Sequence, residues 1–216
     1  MAVTKTKVKG IPTIDVALVV IKTGDDTTGT EYAVDTANQV GVEPQTSTTD
    51  AIQLVKLGRL LAQKPATTTI TGHTITLTDN VFTPEIAKVL QGGQVSGEGT
   101  SLKYTPPVAG SGEKGEIFKL ICYSAVYNAA GQITMYEKIT YPNCQGTPFA
   151  INTEDDVFRL PEYTINSMPD TGEAPYTIEY VDELPSDFTE PESLSAMSDN
   201  GMSVLSVSEE TAVQKM

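Results

Sequence analysis

The sequence predicts a mainly β chain with one short helix, and three observations carry that prediction. Thirty of the 216 residues are threonine, a β-branched type that suits a pleated, half-buried surface. Six segments read as strands, by β-branched content or by period-two alternation, and turn residues bound most of them. Only one stretch, about residues 83–91, carries both a helix start and a helix stop. At 23.1 kDa the chain is long enough to bury a sizeable core without disulfide or metal staples.

The first strand is the β-branched run Ile14 to Ile21, which ends at the turn Thr23-Gly24-Asp25-Asp26. Thr69 to Thr78 is the second. Ile75 and Leu77 share one face there and Thr74, Thr76 and Thr78 the other, with a bulge or tight turn expected at Gly72-His73. Glu116 to Tyr127 and Gln132 to Tyr141 form a hairpin across Asn128-Ala129-Ala130-Gly131, whose glycine suits a positive φ. Val157 to Ser167 and Tyr176 to Val181 complete the set, and Pro161 points to an edge position or bulge. The helix has Thr83 as N-cap, Pro84 at its first position, and Glu85 at the positive end of the dipole. Ile86, Val89 and Leu90 form its docking stripe, and Gly92-Gly93 stops it.

One segment reads two ways. Between Asp50 and Gln63, the apolar residues Ile52, Leu54, Val55, Leu57, Leu60 and Leu61 fit an amphipathic helix. Gly58 and the flanking prolines fit an extended excursion equally well. In either form these side chains are an apolar liability unless they pack on something, and a partner subunit is one candidate.

Charge is unevenly placed. The formal net charge is -14, from 28 acids against 14 bases, yet residues 1–110 hold 10 acids and 9 bases. From Ile151 onward there are 15 acids and only Arg159 and Lys215. Such a chain is not built to grip nucleic acid, which needs clustered Lys and Arg, nor to bind an anionic membrane. The longest apolar run, Val16 to Ile21, is far short of the ~18–20 residues that cross a bilayer, and no signal peptide or lipid anchor is expected. Residues 186–216, with 6 acids and many serines, read as disordered or as an acidic C-terminal arm that orders only on binding.

Signatures of catalysis are thin. The single histidine, His73, lies in a threonine-rich strand and reads as structural. Gly92 to Gly99 and Gly110 to Gly115 lack the spacing of dinucleotide and phosphate loops. Glu154-Asp155-Asp156 is a dense carboxylate cluster without EF-hand spacing, so a solvated loop is the plainer reading and Ca²⁺ the sharper one. Cys122 and Cys144 are expected as buried free thiols, with a disulfide as the minority reading. With one histidine, a soft-ligand metal site is not assembled. No enzyme activity, cofactor or metal is therefore expected.

The stretch from Glu31 to Gly93 resembles the major tail tube proteins of long-tailed, siphovirus-type bacteriophages, especially those of Gram-positive hosts. The resemblance is carried by Tyr32-Ala33-Val34-Asp35-Thr36-Ala37, Val42-Glu43-Pro44-Gln45 and Leu57-Gly58-Arg59-Leu60-Leu61-Ala62. It continues through Ile75-Thr76-Leu77-Thr78-Asp79-Asn80, Phe82-Thr83-Pro84-Glu85 and Leu90-Gln91-Gly92-Gly93, and more weakly to Leu184-Pro185. The resemblance implies a β-sandwich or barrel subunit over 1–185, with an N-terminal arm at 1–13 and an inter-ring excursion at 45–64.

Subunits of that family close into hexameric rings, which stack into a hollow tube that passes DNA into the host. The implied partners are other copies of the chain, then tape-measure, tail-terminator and distal-tail proteins, with DNA in transit but not specifically bound. The implied location is the virion tail, after synthesis in the host cytoplasm. On that reading Ile52, Leu54, Val55, Leu57, Leu60 and Leu61 are ring-stacking contacts. Glu154, Asp155 and Asp156 are candidates to face the lumen, where an acidic lining would not hold DNA; an outward, solubilising position is the rival. The other rival readings are the inner tube of a contractile tail or tail-derived bacteriocin, and a β-sandwich capsid-decoration or surface-binding module.

Overall fold

A computed structural model of the protein describes residues 10–25 and 27–188. Twelve strands and one α-helix follow in the order β1 (Thr13–Thr23), β2 (Thr30–Val34), β3 (Ala37–Thr49), β4 (Ile52–Lys56), β5 (Arg59–Lys64), β6 (Thr67–Asp79), α1 (Pro84–Gln91), β7 (Gln94–Ser96), β8 (Lys103–Thr105), β9 (Phe118–Tyr127), β10 (Ile133–Gly146), β11 (Glu162–Ser167) and β12 (Thr177–Val181). A 3₁₀ turn at Gly99–Ser101 joins β7 to β8, which form a separate small pair. The expected mainly β class with one short helix is what the chain adopts.

The main sheet runs β2-β1-β9-β10-β11-β6-β3, antiparallel throughout. The long strand β10 pairs β9 on one edge. On the other it takes β12 along Tyr136 to Thr140, then β11 along Cys144 to Gly146. Strands β2 and β3 hold opposite ends of this order, yet only Asp35-Thr36 joins them. A two-residue link cannot cross a flat eight-stranded sheet, so the sheet rolls until its ends meet. It stops short of a closed barrel, because β2 and β3 share no ladder.

The seam is pinned at Asp79, which is fully buried. The Thr36 hydroxyl donates to Asp79 Oδ1 at 2.6 Å, and the Asn80 amide donates to the same oxygen at 2.7 Å. The Asn80 amide also donates to the Thr36 carbonyl, at 3.2 Å. These bonds satisfy Oδ1, whereas the buried Oδ2 has no hydrogen-bond partner among the described residues.

Inside the roll lies the main core. It takes Val19 and Ile21 from β1, Ile75 and Leu77 from β6, Leu120 and Cys122 from β9, Cys144 from β10, Tyr163 and Ile165 from β11, and Ile86, Val89 and Leu90 from α1. A smaller cluster on the outer face holds Leu18, Val20 and Tyr123, with Val181, Leu184 and Phe188 packed against it. Strand β1 is therefore buried on both faces, which is why Val16 to Ile21 is an unbroken apolar run rather than an alternation. The alternation expected in β6 is present, with Ile75 and Leu77 buried and Thr74, Thr76 and Thr78 half-buried.

Several local expectations need correction. The helix starts at Pro84 after Thr83, but the Thr83 side chain makes no cap bond; its carbonyl accepts from the Ala87 amide at 3.1 Å. Val157 to Pro161 is not strand. Strand β11 begins at Glu162 and lies between β10 and β6, so it is no edge. Pro161 sits just outside the ladder, where its missing N–H costs nothing, and its carbonyl accepts from the Asp79 amide at 3.0 Å. Strand β9 starts at Phe118, and β10 runs on past Tyr141 to Gly146 through an irregularity at Asn143, whose φ is +47°. Asp26, the end of the expected first turn, lies outside the described residues.

Candidate functional site: an exposed apolar ribbon

The ambiguous segment is extended rather than helical, and it is built of paired strands. Strands β3 and β6 pair from Ala37–Asp79 out to Thr49–Thr67, and β4 and β5 continue the pairing from Ile52–Lys64 to Lys56–Arg59. The result is a long two-stranded ribbon, interrupted at Asp50-Ala51 and Pro65-Ala66 and symmetric about Leu57-Gly58. Every residue from Thr46 to Thr71 is exposed.

Its lower part is laced by threonine. Thr48 and Thr68 share a hydroxyl hydrogen bond at 3.0 Å, the Thr67 amide donates to Thr49 Oγ1 at 3.2 Å, and Thr69 Oγ1 donates to the Ser47 carbonyl at 3.3 Å. Cross-strand pairs of this kind stabilise a ladder that has no core beneath it. The root is fixed more firmly. Gln45 Nε2 donates to Thr74 Oγ1 at 2.8 Å and to Asn166 Oδ1 at 3.3 Å, tying β3 to β6 and β11.

The bulge expected near Gly72-His73 falls at Thr71, where the register slips between Gln45–Gly72 and Thr46–Ile70. Gly72 is required there, since a Cβ would stand 2.4 Å from the Ser167 carbonyl oxygen. His73 follows, buried against the rings of Tyr141 and Tyr176, each 5.5 Å away. Burial holds its imidazole below the ordinary range, and burial is also the main cause that pushes the Tyr141 hydroxyl up to about 12. The ribbon thus springs from an aromatic root of His73, Tyr141 and Tyr176.

Beyond the threonines the ribbon turns apolar. Leu54 pairs with Ala62 and Val55 with Leu60. Consecutive strand residues point to opposite sides, so both faces of the ribbon are apolar. Ile52, Leu54, Val55, Leu60 and Leu61 are all more than half exposed. At the tip, Leu57 and Gly58 both take positive φ, +50° and +76°, as a two-residue hairpin turn of the primed kind needs. Leucine in that conformation is strained by roughly 1–2 kcal/mol, and this one is 94% exposed. A free two-stranded ribbon is marginal in water, and a long apolar one is a template for association.

The predicted acids lie elsewhere. Glu154, Asp155 and Asp156 occupy the exposed loop between β10 and β11, and Asp156 has a φ of +60°. Within one subunit they are not brought near the ribbon. That loop also carries exposed apolar residues which sequence reasoning assigned in part to a strand: Ile151, Val157, Leu160, and Phe158 at 93%. It is anchored inward, with Phe149 edge-on to Tyr163 at 5.0 Å and the Arg159 guanidinium 4.7 Å above the Phe82 ring. Among the described residues no group of three or more His, Cys, Asp or Glu is placed to hold a metal ion. Cys122 and Cys144 are buried free thiols, raised by burial to about 12 and about 11. No helix is long and apolar enough to cross a membrane among the described residues.

No protein-family model matches the chain, and no curated protein matches it. Among solved structures it is similar to a chain of the PVC sheath–tube complex, an extracellular contractile injection system in its extended state. That similarity has 15% identity over 78% of this chain and 92% of that one, with a TM-score of 0.35. It is also similar to a chain of the anti-feeding prophage tube-terminating cap, at 13% identity over 83% and 99%, with a TM-score of 0.37. A chain of the anti-feeding prophage baseplate follows, at 9% identity over 81% and 95%, with a TM-score of 0.35. At these scores the likeness carries no argument about function, which rests on the chain's own surfaces.

Proposed function

We propose that the protein is a structural subunit of a phage tail tube, of the long, non-contractile kind its sequence resembles, that self-assembles into stacked hexameric rings. The observation that carries this reading is the ribbon, apolar on both faces from Ile52 to Leu61 and tipped by an exposed, strained leucine. A surface of that kind is stable only when covered on two sides, and neighbouring subunits in a stack would supply both. The reading gives the chain no catalytic role and no cofactor. Its net charge of -14 suits a conduit, because an acidic wall does not exchange counterions with DNA as a basic one does.

Negative-stain microscopy of the concentrated, untagged protein tests the proposal. Rings or hollow tubes are expected. Monodisperse monomer at every concentration and salt would overturn it.

A further inference from the structure

Resting on that reading, we infer that the ribbon of one copy docks on the loop of residues 151–160 in the next copy, so that subunits stack head to tail. The first argument is placement. The ribbon leaves β6 at its Thr67 end, whereas the loop returns to the sheet at the other end, where Glu162 pairs with Thr78 and Pro161 accepts from Asp79. A 13-residue strand separates the two surfaces, which at ~3.3 Å per residue is about 40 Å. A protruding surface at one end and a different surface at the other make a heterologous contact. Such contacts propagate along an axis instead of closing on a pair.

The second argument is chemistry. Both surfaces are apolar and exposed, the ribbon through Leu54, Leu57 and Leu60 and the loop through Val157, Phe158 and Leu160. Their charges are opposite. Between residues 50 and 66 the ribbon carries Lys56, Arg59 and Lys64 against the single acid Asp50, while the loop carries Glu154, Asp155 and Asp156. Arg159, the loop's own base, already sits over Phe82. An apolar centre with charged groups at its rim is the usual anatomy of a specific interface, and complementary rims fix register and partner. Two ribbons meeting each other would bring like charges together. This inference assigns the three acids to the junction between rings rather than to the lumen wall.

Charge reversal tests it on the full chain. Lys56→Glu/Arg59→Glu/Lys64→Glu and Glu154→Lys/Asp155→Lys/Asp156→Lys should each raise the critical concentration for tubes at least about tenfold, as loss of interfacial ion pairs does. Combining both sets should restore assembly towards that of the unmodified protein. Melting temperatures check that each variant folds, and these exposed positions should leave them in place. A second measurement reads direction. With Gln53→Cys on the ribbon and Thr153→Cys on the loop, a flexible bis-maleimide should link assembled subunits into a ladder beyond dimers, while each single variant stays monomeric. Dimers from Gln53→Cys alone would place ribbon on ribbon and overturn the inference. Tubes that ignore both charge reversals, and give no ladder, would overturn it while leaving the tube reading intact. Unmodified protein that never assembles would remove both.

Discussion

Exchanging two ribbon leucines for serine, Leu54→Ser together with Leu60→Ser, separates assembly from folding. The two side chains are 60% and 54% exposed in the free subunit. Full burial of a leucine contributes about 2 kcal/mol, so covering what remains exposed contributes about 1 kcal/mol for each. Losing both weakens each ribbon contact by about 2 kcal/mol, or roughly 30-fold in its association constant. The subunit itself should hardly notice, because substitutions at exposed sites usually change stability by less than about 0.5 kcal/mol. Pelleting across a concentration series reads the critical concentration for tubes, and thermal unfolding of the dilute subunit reads its stability. The expected result is a rise of about 30-fold or more, with the melting temperature held within about 2 °C. An unchanged critical concentration would refute the idea that the ribbon is an assembly surface. A melting temperature lowered by more than about 8 °C would show that these leucines belong to the subunit's own core.

Three further outcomes are expected from the interior. Asp79→Ala should destabilise the subunit by about 1–3 kcal/mol in urea unfolding, and Thr36→Val by about 1, because the first removes the acceptor shared by the Thr36 hydroxyl and the Asn80 amide and the second removes only one donor. A double-mutant cycle should find the pair coupled, and additivity would argue against the seam contact. The His73 imidazole is held below its ordinary range by burial, so the folded state binds fewer protons there than the unfolded chain. Its contribution is complete above the unfolded value of 6.5 and is lost as pH falls below it, so stability should decline from pH 7 to pH 5.5. The decline should be shallower in His73→Asn, and equal slopes would count against the assignment. Finally, Cys122 and Cys144, raised to about 12 and about 11, should resist maleimide at pH 8 until the chain is unfolded. Rapid labelling of the folded subunit would contradict their burial.

Much of the sheet is legible in the sequence wherever one face is buried and the other is not. Ile75 and Leu77 against Thr74, Thr76 and Thr78 fix β6, and Gly131, with φ +76°, fixes the β9–β10 turn. The ribbon is not legible, and the cause is its use. A surface with apolar side chains on both faces loses the period of two, and Ile52, Val55 and Leu54, Leu57 then stand at spacings that a helix would also give. The clearer signal is in its lower part, the threonine-rich tracts 46–49 and 67–69 placed evenly about Leu57-Gly58. The loop of 151–160 misleads in the opposite sense. Val157 to Pro161 is apolar enough to pass for strand, but its apolar residues point to solvent because the ladder begins only at Glu162.

The apolar end of the ribbon joins the body through Asp50-Ala51 and Pro65-Ala66, where the ladder lapses; inward of that joint the ribbon is the outward continuation of β3 and β6, and β6 carries Ile75 and Leu77 in the middle of the core. Tension along the strand axis would therefore load the β3–β6 and β6–β11 ladders lengthwise, in shear. Hydrogen bonds loaded in shear share the force and must fail together, whereas a ribbon peeled sideways would lose them one at a time. A tube joined through such ribbons would resist stretching far better than twisting or splaying, a mechanical anisotropy set by the direction in which one hairpin leaves its sheet.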